Sequence, residues 1–229
     1  MKKKLLSFLL LTTLVCCFSA CGKDKTKTNT TDGKFTSGDT ASTVIENLSL
    51  PEDGLLTSES ENLLSGKYNI EIEIEEYGTI ALTLDADIAP VTVTNFVDLV
   101  QDDFYNGLTF HRIMDGFMIQ GGDPEGTGMG GSGRNIQGEF ASNGFENSLK
   151  HTRGVISMAR SYLPDSASSQ FFIMHEDAPH LDGDYAAFGQ VTSGIEIVDK
   201  ICENTKVEDS NGTVLAENQP KIKEIRLVK

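Results

Sequence analysis

The side chains best suited to chemistry in this sequence are one arginine and two glutamines that stand within apolar runs. Arg112 lies between Phe110 and Ile113, while Gln120 and Gln170 interrupt hydrophobic stretches. A guanidinium is always charged and offers several N–H donors in fixed directions. A buried amide is costly unless it is hydrogen-bonded, so each glutamine is expected to have a hydrogen-bonding partner. The pattern predicts a site that acts by directed hydrogen bonding.

The sequence around Arg112 resembles the signature of the cyclophilin family. The matching segment is Phe110-His111-Arg112-Ile113-Met114-x-Gly116-Phe117-Met118-Ile119-Gln120-Gly121-Gly122-Asp123. Further segments follow in the family's order: Gly126-Thr127-Gly128, Ile156-Ser157-Met158-Ala159, Ser168-Ser169-Gln170-Phe171-Phe172-Ile173, Leu181-Asp182-Gly183 and Phe188-Gly189. The resemblance covers residues 67–229. It implies a mainly β fold, a closed eight-stranded antiparallel β-barrel capped by two α-helices, with the site on its outer face.

Cyclophilins are peptidyl-prolyl cis-trans isomerases, and the residues here fit that chemistry. An X-Pro bond resists rotation because the nitrogen lone pair is shared with the carbonyl, which gives a barrier of about 18–20 kcal/mol. A donor that hydrogen-bonds the prolyl nitrogen in the twisted state withdraws that lone pair from resonance and favours the transition state. The resemblance assigns this catalytic role to Arg112. The reaction requires no nucleophile, metal or cofactor.

The resemblance also implies which residues bind a proline-containing peptide. The set is Phe117, Met118, Gln120, Ala159, Arg160, Gln170, Phe172, His180, Leu181 and Tyr185. Its apolar members Phe117, Met118, Phe172 and Leu181 are expected to line a slot for the proline ring. Ala159 and Arg160 match the strand that accepts the substrate backbone. Gln120 and Gln170 are expected to hold the peptide backbone or to orient Arg112.

Three positions depart from the best-known eukaryotic members of the family. His180 stands where those members carry Trp, Tyr185 where they carry His, and Arg160 where they carry Asn. The Trp position is associated with cyclosporin binding, so we expect this chain to bind the drug weakly. Isomerase activity is expected to persist, because Arg112 and the apolar slot are present.

Other classes of site and partner are disfavoured by the sequence. The four histidines show no spacing typical of metal ligands, so no metal site is predicted. Residues 126–131 fit the pattern G-x-G-x-x-G, but no hydrophobic helix follows, so we interpret them as a flexible loop and not as a dinucleotide fingerprint. The formal net charge of −15 argues against nucleic acid as a partner.

The N-terminus is typical of a bacterial lipoprotein signal. Lys2, Lys3 and Lys4 precede an apolar run from Leu5 to Phe18, and small residues come just before Cys21. We expect residues 1–20 to be removed and Cys21 to be acylated, which would anchor the protein outside the cytoplasmic membrane through this lipid alone. An ordinary cleaved signal peptide is the alternative.

The remaining chain divides into a tether and a folded domain. Residues 21–66 lack steady periodicity and are expected to form a flexible tether from the lipidated Cys21. From Tyr68 onward apolar residues alternate with polar ones, which predicts a β-hairpin around Tyr77-Gly78. Helices are predicted after Pro90 and from Ile195 to Cys202, and residues 67–229 are expected to form the isomerase domain.

These observations together predict an isomerase that acts on exported proteins. Its partners would be proline-containing unfolded or flexible polypeptides, and the protein is expected to be monomeric. Two alternatives remain at this point: a non-catalytic module that docks proline-containing segments, and a chaperone in which isomerisation is incidental.

Overall fold

The computed structural model describes residues 54–228. The signal peptide, Cys21 and most of the predicted tether therefore lie outside the described residues. Between residues 54 and 228 no helix combines the length and the apolar character needed to cross a membrane.

The folded domain opens with the predicted hairpin. Strand β1 (Lys67–Ile74) and strand β2 (Gly78–Asp85) pair antiparallel, with Ile72 opposite Ile80. Isoleucines and leucines at every second position are buried, whereas the intervening Glu and Thr side chains face outward. This alternation follows from the period of two along a strand, which places successive side chains on opposite faces of the sheet.

Six further strands and two α-helices follow along the chain. They are α1 (Pro90–Gln101), β3 (Thr109–Met114), β4 (Met118–Asp123), β5 (Val155–Met158), β6 (Phe171–Met174), β7 (Ala187–Ser193), α2 (Ile195–Asn204) and β8 (Ile222–Val228). Pro90 is the first residue of α1, where its missing N–H is not needed and its fixed φ suits a helix. The predicted eight strands and two α-helices are confirmed.

The eight strands form one curled antiparallel sheet in the order β3-β4-β6-β5-β7-β2-β1-β8. Edge strands β3 and β8 approach each other through an isolated bridge between Thr109 and Lys221 and a few backbone hydrogen bonds, but no ladder joins them. The expected closed barrel is therefore wrong, and the sheet is an open, curled half-barrel. Pro220, two residues before β8, has no N–H to donate to β3, which limits pairing at this end of the gap.

The interior of the curled sheet is filled by aromatic side chains. Phe96 of α1 packs against Tyr105, Phe171 and Phe188, with ring centroids 4.9, 5.5 and 5.3 Å away. A second apolar cluster lies on the opposite face and includes Met118, Phe172 and Met174. Because side chains alternate along a strand, Phe171 and Ile173 enter the interior core while Phe172 and Met174 face outward. A site built on this sheet is thus placed on its outer face.

The ordered domain begins earlier than the predicted boundary at Lys67. Leu56 is fully buried, its N–H donates to the Asn135 carbonyl at 3.2 Å, and its own carbonyl accepts the Gln137 N–H at 2.8 Å. Further along, the Leu64 N–H donates to Thr94 Oγ1 at 2.8 Å. Residues 54–66, which the sequence assigned to the tether, therefore pack on the domain.

Candidate active site

The outward-facing cluster forms the floor of a cleft of about 390 Å³. Nine of the eleven residues predicted for the site line this cleft: Arg112, Phe117, Met118, Gln120, Ala159, Arg160, Phe172, Leu181 and Tyr185. The other two lie close by. Gln170 accepts a hydrogen bond from Gln120, and His180 lies beside Phe117.

Arg112 projects from β3 and is held on three sides. Its Nε donates to the Asn211 carbonyl at 2.8 Å, Nη1 donates to Gln120 Oε1 at 3.2 Å, and Nη2 contacts Met114 Sδ at 3.1 Å. The side chain is half-buried, and this burial lowers the pKa of the guanidinium from its ordinary value. A guanidinium carries five N–H donors, so two remain for a ligand in the cleft.

Gln120 and Gln170 form a directed chain of hydrogen bonds behind Arg112. Gln120 accepts from Arg112 through Oε1 and donates through Nε2 to Gln170 Oε1 at 2.9 Å. Gln170 in turn donates through Nε2 to the Gly130 carbonyl at 2.8 Å. Each amide is thereby fixed in one orientation, and the acceptor presented to Arg112 is always an oxygen. This chain of hydrogen bonds supports the interpretation that the two glutamines orient Arg112.

An apolar slot lies next to the guanidinium. Met118, Phe172 and Leu181 are almost fully buried yet reach the cleft with part of their surface. Tyr185 packs edge-on against Phe172, with ring centroids 5.9 Å apart. The cleft thus combines an apolar slot with a charged donor.

Arg160 closes one end of the cleft. Its guanidinium lies between the rings of Phe140 and Tyr185, 4.9 and 4.7 Å from their centroids. Its Nε and Nη2 donate to the Asp184 carbonyl at 3.0 and 2.8 Å. The neighbouring Ala159 uses its N–H within the sheet, donating to the Gln170 carbonyl at 2.9 Å. Arg160 is therefore a fixed wall of the cleft.

His180 lies at the rim of the cleft. The side chain is exposed and its ring stacks on Phe117, with centroids 5.6 Å apart and planes 27° from parallel. A residue at this position can contact a bound molecule only where that molecule extends past Phe117.

Several cleft residues were missed by the sequence reasoning: His111, Thr127, Gly128, Asn211 and Thr213. The backbones of Thr213 and Arg112 form an isolated antiparallel β-bridge, and the Ile113 N–H donates to the Gly212 carbonyl at 2.8 Å. Gly212 has φ of +79°, and a Cβ at this position would clash with the Ile113 carbonyl. This close approach is what brings the Asn211 carbonyl to Arg112.

The Gly-rich segment after β4 is ordered by a buried carboxylate. Asp123 is 1% exposed and accepts the backbone N–H groups of Glu125, Thr127 and Gly128. Burial by itself would raise the pKa of Asp123, but these N–H groups together hold it below its ordinary value. The segment is a loop, and the next helical element is the single 3-10 turn Ala141–Asn143.

A second polar cluster near the cleft resembles a nucleophilic triad in geometry. His151 Nδ1 lies 3.1 Å from Asp182 Oδ1, and Nε2 lies 3.0 Å from Ser157 Oγ. Ser157 is completely buried, and burial lowers the pKa of His151. No substrate carbonyl can reach Ser157, so we interpret this cluster as a structural hydrogen-bond network.

Comparison with known proteins agrees with this geometry. A family model described as "Cyclophilin type peptidyl-prolyl cis-trans isomerase/CLD" matches residues 69–227. A peptidyl-prolyl cis-trans isomerase of Helicobacter pylori is 48% identical over 133 residues, covering 57% of this chain and 78% of the relative. Peptidyl-prolyl cis-trans isomerase B of Bacillus subtilis is 43% identical over 144 residues, covering 63% and 92%.

A solved structure shares the fold as well. The cyclophilin-type isomerase of Cryptosporidium parvum, crystallised in the presence of the dipeptide Ala-Pro, has a TM-score of 0.62 and 32% identity. The match covers 70% of this chain and 99% of that one. With the signature arginine, the apolar slot and the outer-face cleft in place, the chain belongs to the cyclophilin-type peptidyl-prolyl cis-trans isomerase family.

Proposed function

We propose that Arg112 accelerates X-Pro rotation in exported proteins and thereby assists their folding outside the cytoplasmic membrane. The observation that carries the catalytic part is the guanidinium held beside the apolar slot with two of its N–H donors available. The proline ring occupies the slot formed by Met118, Phe172 and Leu181, which brings the prolyl nitrogen to the guanidinium.

The reaction then proceeds by rotation alone. In the planar ground state the nitrogen lone pair is delocalised and is a poor acceptor, so Arg112 gains little from it. As the bond twists, the nitrogen becomes pyramidal and accepts a charge-assisted hydrogen bond from Arg112. Because the glutamine chain fixes Arg112 beforehand, this stabilisation requires no reorganisation during the reaction.

A protease-coupled isomerisation assay on the full chain tests the catalytic proposal. The protein should accelerate cis-to-trans conversion of a prolyl tetrapeptide in proportion to its concentration, and excess proline-containing peptide should compete. Binding of the peptide without acceleration would instead support the non-catalytic docking module. Acceleration lost in Arg112→Ala, with suppression of aggregation retained, would separate an additional chaperone role.

The cellular location is proposed from the N-terminal sequence. The basic residues Lys2 to Lys4, the apolar run that follows and the small residues before Cys21 support cleavage and acylation at Cys21. One acyl chain holds a protein only marginally at a membrane, so two or more are needed for stable anchoring. The anchored protein acts as a monomer on unfolded or flexible proline-containing segments.

Metabolic labelling with a palmitate analogue tests the anchor. The wild-type chain should label and partition into detergent, and Cys21→Ser should do neither. Cys17→Ser is the matched control and should label normally. Membrane association of the processed Cys21→Ser chain would contradict the lipoprotein assignment.

A further inference from the structure

Three side chains with metal-binding atoms converge near the β3–β4 turn, although they are distant in sequence. Asp115 lies in the turn between β3 and β4, His175 directly follows β6, and Cys202 lies in α2. One ligand atom from each residue lies within 4.8 Å of the other two. None of the three residues lines the active-site cleft, so the isomerase chemistry does not account for the cluster.

The separations suit a tetrahedral zinc ion after a small adjustment. Zinc lies about 2.0–2.3 Å from nitrogen, oxygen and sulfur ligands, which places neighbouring ligand atoms roughly 3.3–3.8 Å apart. His175 Nδ1 and Asp115 Oδ1 are already 3.4 Å apart. The Cys202 sulfur lies within 4.8 Å of a ring nitrogen of His175 and of a carboxylate oxygen of Asp115, about 1 Å beyond the separation of ligands on one zinc ion.

The orientation of His175 suits metal binding through Nδ1. The Gly116 N–H donates to Nδ1 at 2.9 Å, so the neutral ring carries its proton on Nε2 and keeps a lone pair on Nδ1. Gly116 is exposed, so water can take over its N–H when a metal replaces it at Nδ1.

A carboxylate stands behind the ring of His175. Asp199 Oδ1 lies 3.1 Å from Nε2, and Asp199 Oδ2 accepts from Arg153 Nη2 at 2.8 Å. Oδ1 is also 2.7 Å from Arg153 Nη2, so the Asp199 carboxylate is held in place by the arginine and can still accept the Nε2 proton. Metal-binding histidines are usually oriented by such a carboxylate on the second ring nitrogen.

The charges around Cys202 favour a divalent cation. Cys202 is 9% exposed and free of any disulfide in the described chain. A carboxylate oxygen of Asp115 lies within 4.8 Å of the sulfur, so a dication bound between them would face a thiolate and a carboxylate together.

We propose that Asp115, His175 and Cys202 form a zinc site, with Asp199 orienting the histidine. Three protein ligands leave a fourth position for water. The ion enters from the side of Asp115, whose side chain is 81% exposed. A sulfur and a nitrogen ligand select zinc over magnesium and calcium, which prefer oxygen. The site joins the β3–β4 turn to α2, and it stands whether or not the isomerase mechanism is correct.

Titration of the full chain with zinc chloride tests the proposal. The reference is the variant Cys16→Ser/Cys17→Ser/Cys21→Ser, which removes the other three thiols of the sequence. It should bind one zinc ion per chain and release about one proton from the thiol at pH 7. With Co²⁺ as the probe, it should develop a thiolate charge-transfer band.

Single substitutions in this reference identify the ligands. Cys202→Ser should abolish the charge-transfer band and weaken zinc binding at least tenfold. Asp115→Asn should also weaken it at least tenfold, and because the side chain is exposed this variant keeps its fold. The exposed Asp102→Asn is the matched control and should bind as the reference does. The proposal fails if the reference shows no saturable zinc binding or binds magnesium as tightly as zinc. It also fails if Asp115→Asn, or a folded Cys202→Ser, binds zinc as tightly as the reference does.

Discussion

Replacing Arg112 by alanine should reduce catalysis far more than stability. The guanidinium keeps two N–H donors, one of which can serve the single lone pair of the prolyl nitrogen, and alanine removes both. Loss of one preorganised donor in an active site typically costs about 2.7–4 kcal/mol of transition-state stabilisation. At about 1.36 kcal/mol per tenfold change, kcat/KM should fall by roughly two to three decades.

The loss should appear in kcat and leave KM nearly unchanged. The planar substrate presents no free lone pair, so Arg112 contributes little to ground-state binding, and the slot of Met118, Phe172 and Leu181 is untouched. The cost in unfolding free energy should be about 1 kcal/mol, because Asn211 is exposed and Gln120 half-buried, so water can replace the lost donors.

The assay is protease-coupled isomerisation at several substrate concentrations, with urea unfolding measured in parallel. Arg226→Ala is the matched control, since its guanidinium contacts carboxylates of β1 and β8 and does not line the cleft. Arg112→Lys should also be poor, because one ammonium cannot reach both Asn211 and Gln120 while serving the substrate. Activity of Arg112→Ala within threefold of wild type would refute this role.

Four further outcomes follow from the geometry. Gln170→Leu breaks the chain that fixes Gln120, so kcat should fall about five- to tenfold at unchanged KM, roughly 1–1.4 kcal/mol; an effect on KM alone would contradict the orienting role. His180→Trp adds apolar area and an N–H donor at the rim, so cyclosporin should inhibit the variant at least tenfold more strongly, whereas nanomolar inhibition of the unaltered chain would show the reasoning wrong. Leu56→Ala should lower the unfolding free energy, measured in urea, by about 2–5 kcal/mol, whereas the exposed Leu55→Ala should change it little. Equal effects of the two substitutions would show that residues 54–66 do not belong to the folded domain. Burial lowers the pKa of His151 in the folded chain, so the unfolded chain binds this proton first as pH falls below about 6.5, and the free energy of unfolding decreases. His151→Gln should weaken the dependence of the unfolding free energy on pH between pH 7 and pH 5, and His180→Gln is the control.

The contiguous part of the site is predictable because one strand pair carries it. Arg112, Met118 and Gln120 lie in β3 and β4, and their spacing along two paired strands fixes which of them face outward. The family resemblance then supplies Phe172 and Leu181, which reach the same face from later segments.

The remaining contacts depend on backbone groups and on packing at long range. The backbone carbonyls of Asn211 and Gly130 accept hydrogen bonds from Arg112 and Gln170. Every residue has a backbone carbonyl, so residue type does not predict which of them accepts these bonds. Leu56 belongs to a visible apolar cluster, yet its burial depends on the chain around Ile136, 80 residues away. The open sheet likewise departs from the family expectation because two edge strands fail to form a ladder.

The tight contact at Gly212 links the evolutionary fates of two distant positions. Gly212 must stay without a side chain for the loop to approach β3, and only that approach delivers the Asn211 carbonyl to Arg112. A larger residue at position 212 would therefore be selected against as strongly as a change of the arginine itself, though it touches no substrate. The same contact fastens the loop to β3 through the Gly212 carbonyl and the Ile113 N–H, so a side chain here would strain the fold as well, and the glycine should persist even where catalysis is lost.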